Sequence, residues 1–205
     1  LGGANGAPWL ALPRVLLARA RDVAAAGRFL PFAEACARGW HVPADLAARG
    51  AGVLLVSHPW EARGGHPDPH NRQFSVVRKF IQERAEELGI QYVWLDYTCL
   101  PEPSKDKAGG ARALAVRAFP AALLLATHCL VVPALQRDPA SGLAVTDLRR
   151  HLRRAWGRLE ALACLLGPCE LHCHYAYEAL DPAARIDAVL PVRPAPPPPR
   201  PAAAA

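Results

Sequence analysis

Three short apolar runs alternate with longer stretches of helical period, and together they define the centre of the chain. Val53-Leu54-Leu55-Val56 follows a glycine and contains no polar residue, the pattern of a strand buried on both faces of a parallel sheet. Ile90 to Leu95 and Cys129 to Val132 read as a second and a third buried strand. Between the first two, Gln73 to Leu88 predicts an amphipathic helix. Phe74, Val77, Phe80, Ile81 and Leu88 fall near one face, and Gly89 stands where a C-cap belongs. A helix from about Ala111 to Leu125, bent at Pro120, precedes the third strand. A loop over 133–146 leads to a helix over Asp147 to Leu166, with Thr146 as N-cap and Gly167-Pro168 as stop. Leu171 to Tyr177 alternates sides and reads as an edge strand. Residues 11–50 carry two weak helical patterns, with Leu12, Val15, Leu16 and Ala20 at helical spacing, and predict an N-terminal helical cap. The middle is therefore β–α–β–α–β–α with strands about 35–40 residues apart, which predicts an α/β fold with a doubly wound parallel sheet.

Ligands of such sheets sit beyond the carboxyl ends of the strands. Here those ends read Ser57-His58-Pro59-Trp60 and Asp96-Tyr97-Thr98, the most polar and aromatic positions of the core region. Asp96 either caps its own turn or faces a ligand. Glu160 lies four residues after Trp156 on the same helix face, flanked by Leu159, Leu162, Ala163 and Leu166. A carboxylate at such a core boundary is costly unless it is paired, for instance with Arg154 or Arg158, or faces a cleft.

Composition changes this picture in a few places. Of 205 residues 52% are hydrophobic and 20% charged, which suits a folded core rather than a disordered chain. The chain opens at Leu1 and has no Met, so it reads as a fragment of a longer product. From Pro191 it runs into APPPPRPAAAA, a disordered Pro-rich tail that cannot build a core. The division expected is 1–49 as a helical extension, 50–190 as the α/β domain and 191–205 as the tail. The net charge of +6 rests almost wholly on Arg, which tracks a GC-rich coding bias, so nucleic acid is not expected as a partner. Arg149, Arg150, Arg153, Arg154 and Arg158 still place most of a basic cluster on one side of a helix, as a solvated face or an anion site. Six scattered cysteines predict reduced thiols and an intracellular, cytoplasmic protein. Ala118 to Leu135 is apolar apart from Thr127 and His128. It is cut by prolines, so it reads as a helix and a strand and not a membrane span. No metal site is assigned. Cys169, His172, Cys173 and His174 would point to both faces of a strand, and His66, Asp68 and His70 lie in a Pro-rigid loop. No GxGxxG, Walker A, GxSxG or HExxH pattern is present.

The ordered motifs VLLVSHPWE (53–61), HPDP (66–69), Gln73-Phe74, YVWLDYTCLPE (92–102) and RRAWGRLE (153–160) resemble the heterokaryon-incompatibility-like and Toll/interleukin-receptor (TIR)-like domains of algal, protist and fungal proteins. The resemblance covers about residues 50–166. It implies a flavodoxin-like three-layer sandwich and a signalling role, with either of two mechanisms. In the first, the domain cleaves NAD at the nicotinamide–ribose bond. The motif then carries the catalytic role to Glu160, with Trp156 as its tryptophan, and NAD is a substrate rather than a cofactor. Ser57, His58, Trp60 and Asp96 would line the cleft, and Arg154 would pair with a phosphate or with Glu160. In the second, the same fold is a non-catalytic homotypic interaction module, a homo-oligomer formed through this domain. Gly157 stands where the motif usually has Cys and Glu102 where it has Gln. A mid-helix Gly costs about 1 kcal/mol against Ala and is expected to loosen the helix that presents Glu160.

Overall fold

A computed structural model of the protein describes residues 14–61, 65–101, 113, 116–178 and 185–192. In chain order its first half contains β1 (Leu16–Arg19), α1 (Ala20–Ala25), α2 (Phe32–Ala37), β2 (His41–Pro43), β3 (Gly52–Ser57), α3 (Arg72–Arg84), β4 (Ile90–Trp94) and the single turn α4 (Asp96–Cys99). The second half contains α5 (Phe119–Leu125), β5 (His128–Val131), β6 (Leu135–Arg137), β7 (Ala144–Thr146), α6 (Leu148–Arg153), α7 (Ala155–Leu166), β8 (Glu170–Tyr177) and β9 (Ile186–Val192).

The sheet is mixed. Its centre is parallel, in the order β4-β3-β5-β8. Antiparallel strands extend it on both sides: β1 then β2 beyond β4, and β9 and the β6–β7 hairpin on β8. All six residues of β3 are buried, as a strand between two parallel neighbours requires. The chain leaves β3 for β4 on one side and returns to β5 on the other, so the direction of winding reverses between β3 and β5. Helices cover both faces. Phe80 of α3 meets His172 of β8 on one face, and Cys164 of α7 meets Cys129 of β5 on the other. Asp68 starts α3 from the preceding loop, accepting from the Arg72 and Phe74 amides at 2.9 and 2.7 Å. Gly89, at φ 65°, makes the turn into β4 that an L side chain would strain.

Several expectations need correction. Leu16–Arg19 and His41–Pro43 are strands, not parts of a helical cap. Leu17 and Ala18, each 1% exposed, fill the space between β4 and β2, and four residues carry too little period to reveal that. The 133–146 loop contains the β6–β7 hairpin. Leu171–Tyr177 is not an edge strand, because β5 and β7 flank β8 on one side and β9 on the other. Pro191 and Val192, assigned to the tail by composition, end β9, while residues 193–205 and 1–10 lie outside the described residues. The helix expected over 111–125 is interrupted at Ala118, and α5 starts anew with Pro120 in its first turn, where the missing N–H is harmless; residues 111, 112, 114 and 115 lie outside the described residues. The long helix over 147–166 is two helices, broken at Arg154 (φ −78°, ψ 135°), and Asp147, not Thr146, caps the first by accepting from the Arg150 amide at 2.8 Å. The arginine cluster is split by the same break, so it does not form one helix face. Among the described residues no helix is long and apolar enough to cross a membrane.

Candidate functional site

Ser57 ends β3 and His58 follows it, Asp96 follows β4, and Glu160 reaches back from the second turn of α7, so all four meet at the carboxyl end of the parallel strands. The site falls where the winding reverses, the usual place for a ligand in such a sheet. A cavity of about 80 Å³ opens there, lined by His58, Asp96, Arg154 and Glu160 and walled by Trp94, Phe119 and Trp156. Phe119 packs edge-on against Trp156 at 4.4 Å between ring centroids, and the Trp156 ring stays 47% exposed.

Two hydrogen-bond networks hold the polar groups. In the first, Gln73 of α3 donates its amide N–H groups to Pro59 O (3.0 Å) and Glu61 Oε1 (3.1 Å). Its carbonyl oxygen must then face His58 Nδ1, 2.9 Å away, which makes that nitrogen a donor. The other ring nitrogen, Nε2, lies 3.2 Å from Asp96 Oδ1. A bare lone pair against a carboxylate would repel, so both nitrogens carry protons and His58 is an imidazolium. Burial opposes this charge, but the bond and the charge of Asp96 outweigh it and raise the His58 pKa. Asp96 is held below the usual carboxylate range: its burial works the other way, and His58, the Trp60 indole N–H (2.9 Å) and the Tyr97 amide (2.6 Å) prevail. Asp96 is thus both cap and site residue. Trp60 serves it as a hydrogen-bond donor and does not line the cavity.

The second network lies on the opposite side of β3. Ser57, fully buried, donates to Glu160 Oε2 through its hydroxyl and accepts from His151 Nε2–H at 2.8 Å. Burial raises the Glu160 pKa to about 7, with Ser57 acting against the shift. Burial also lowers the pKa of His151 to about 4, aided by Arg154 and His58, so this imidazole is neutral, and its Nδ1 has no partner among the described residues. Ser57 bridges a base and an acid instead of facing the cavity, which is the wrong order for a serine nucleophile. Neither Arg154 nor Arg158 pairs with Glu160; they donate to the carbonyls of His58 (3.0 Å) and Arg153 (3.3 Å).

His151 was not among the residues singled out from sequence, and Gln73 entered only as part of a motif, with no role assigned. The signal for His151 is Gly157. A Cβ there would stand 2.7 Å from His151 O and 3.0 Å from its ring, so this glycine makes room for the imidazole and does not merely loosen the helix. Gly157→Ala is expected to destabilise the fold by about 1–3 kcal/mol through overpacking, read as a lower melting temperature. A melting temperature equal to that of the native chain would show that His151 can move aside freely.

The other polar motif, His66 to His70, is structural: His66 Nε2 donates to Phe29 O at 2.9 Å, and Asp68 caps α3. No protein-family model matches the sequence, no curated protein matches it, and no solved structure matches the fold. Fold and cleft together define a mixed α/β protein with a carboxyl-end cavity that holds a buried glutamic acid bonded by Ser57.

Proposed function

We propose that the protein is a TIR-like hydrolase on a flavodoxin-like sheet that cleaves the nicotinamide–ribose bond of NAD, with Glu160 as its catalytic residue. The observation that carries this reading is a buried carboxyl, titrating near neutrality, beside aromatic walls and one arginine at the reversal point of a parallel sheet. The cavity is well below the roughly 300–1,000 Å³ of pockets that enclose a whole ligand. It suits the nicotinamide end, stacked on Trp156, with the diphosphate running out over Arg154.

In the reaction the C1′–N bond breaks and neutral nicotinamide leaves with the bonding pair. The ionised Glu160 stabilises the ribosyl cation, and water adds to C1′ and gives its proton to Glu160. Ser57 donates to the carboxylate and His151 to Ser57, so both orient Glu160 without touching substrate. Because the ionised form acts, nicotinamide release is expected to rise with pH through about 7 and then level off. Glu160→Ala is expected to reduce it by at least about 10²-fold. The assay compares both chains, free and tethered to an oligomerising scaffold. A folded native chain that releases nothing in either form would remove this reading.

A second reading rests on a different observation. Leu159, Leu162, Leu165 and Leu166 of α7 and Leu124 of α5 are exposed on two helices that pack together, an apolar face of the kind that marks protein contacts. In this reading the chain self-associates without cleaving NAD, and association survives Glu160→Ala.

A further inference from the structure

A second cluster of polar side chains lies at the other end of the sheet and on its other face. His128 opens β5 and Glu170 opens β8, directly opposite in register, and His172 follows two residues on, on the same face as Glu170. The cleft end of β5, Val131, is three residues from His128, about 10 Å along the strand. His128 and His172 are 9% and 1% exposed, far more buried than histidine usually is.

The ring nitrogens are arranged for a shared cation. His128 Nε2–H donates to Leu88 O at 3.2 Å, which leaves its Nδ1 lone pair facing His172. His172 Nε2 lies 3.4 Å from that Nδ1, long for an N–H···N hydrogen bond. Two imidazole nitrogens on one tetrahedral ion, each at about 2.0–2.1 Å from it, stand about 3.4 Å apart. Glu170 spans the pair, with Oε2 3.8 Å from His128 Nδ1 and Oε1 3.8 Å from His172 Nε2, and its 50% exposed side chain needs only a small shift to close that gap. The Leu88 carbonyl plays the part of the outer partner that fixes a ligating histidine's tautomer. Arg84, the cation that acts on His172, is already engaged by Glu87 through bonds of 2.9 and 3.2 Å.

We propose that His128, Glu170 and His172 form a binding site for a divalent transition-metal ion of the zinc class, with solvent completing the coordination on the Glu170 side. Two imidazoles and one carboxylate suit Zn²⁺ or Co²⁺ far better than Ca²⁺ or Mg²⁺, which take oxygen ligands. The four residues near 169–174 that sequence brings together do not make this site. Only His172 belongs to it, because Cys173 points to the opposite face and His174 bonds Asp187 at 3.0 Å. The bound ion ties the amino ends of β5 and β8 together. It takes no part in chemistry at Glu160, so the site stands or falls independently of the proposed activity.

The test is a titration of the 205-residue chain with Co²⁺, followed by absorption, and with Zn²⁺, followed by melting. Ligand-field bands in the visible are expected without a thiolate-to-cobalt charge-transfer band, which separates this site from the six cysteines. Zn²⁺ at a hundredfold excess over its dissociation constant is expected to raise the melting temperature by about 5–10 °C. Glu170→Ala, an exposed position that leaves the fold intact, should weaken Co²⁺ binding at least about tenfold, and His128→Gln should abolish the bands. Three results would each overturn the proposal: no bands and no melting shift, bands dominated by thiolate charge transfer, or bands indifferent to both substitutions.

Discussion

Glu160→Gln is expected to melt well above the native chain at pH 8 and only slightly above it at pH 5. In the unfolded chain Glu160 ionises near 4.5, whereas in the folded protein it keeps its proton to about 7. A raised folded pKa contributes stability that is complete below the unfolded value and is lost as pH rises through the folded one. Between pH 4.5 and 7 the native protein therefore gives up about 3 kcal/mol, at about 1.4 kcal/mol per pH unit. Gln has the same shape, can still bond Ser57 and never ionises, so it keeps what the native residue loses. For a chain of this length that is a gap of about 6–12 °C at pH 8. His151 has the opposite dependence: its depressed pKa contributes stability above 6.5 that is lost as pH falls through about 4. That contribution is common to both proteins and cancels in the comparison. Calorimetry at pH 5, 6, 7 and 8 checks the trend, and a gap of constant size would mean that Glu160 is not neutral in the fold. The residue proposed to carry the reaction is thus one the fold holds at a cost, a familiar opposition between stability and activity.

Asp96→Ala is expected to act in the opposite direction, lowering stability by about 3 kcal/mol near pH 5.5, a fall of about 6–12 °C. It strips the buried His58 imidazolium of its counter-charge and leaves the Trp60 indole N–H without its acceptor. Asp96 itself is 37% exposed, so water reaches the space it leaves and the effect lies at the low end for a broken buried pair. The pH window follows from the two shifts. The contribution of His58 is complete below 6.5 and fades as pH rises through its raised folded value. That of Asp96 is complete above 3.8 and fades as pH falls through its lowered one. The loss should therefore peak between these limits and shrink as pH rises through the raised value of His58. Melting curves of both chains at increasing pH from 5.5 decide the matter, since a loss that never shrinks would mean a neutral hydrogen bond and no ion pair.

Sequence order shows three strands of the parallel centre because β3, β4 and β5 are mostly apolar and each crossover between them is long enough for a helix, whereas β8, with Glu170, His172 and His174, reads as an edge. It brings Ser57, His58 and Asp96 to one end of the sheet for the same reason, since they end or follow strands, whereas Arg154, Trp156 and Glu160 reach that end through a helix that starts at a break within the expected one. What it hides are features set by contacts between distant segments. Arg154 breaks a helix that local preference would continue, since arginine is a good helix former, and the break is fixed where its guanidinium meets the His58 carbonyl. His151 looks like one more basic residue between Arg150 and Leu152 until Gly157 is seen to give it room. The pairing of His128 with Glu170 depends on the register of two strands far apart in the chain, which no local pattern encodes. The strands β1, β2, β6 and β7 are each three or four residues long, below the length at which alternation can be told from helical spacing.

The central position of β3 bears on how the chain reaches this state. One neighbour, β4, is made soon after it, but Thr127 at the threshold of the other contacts Val53 across 74 residues. Until that stretch has been synthesised and closed, the uncharged segment Gly52–Ser57 has an open edge and the composition of a sticky strand. Such non-local pairing slows folding. Completion of the sheet, and with it the cleft, must wait for β5, so crowded or concentrated conditions act on the nascent protein at the very strand that carries Ser57.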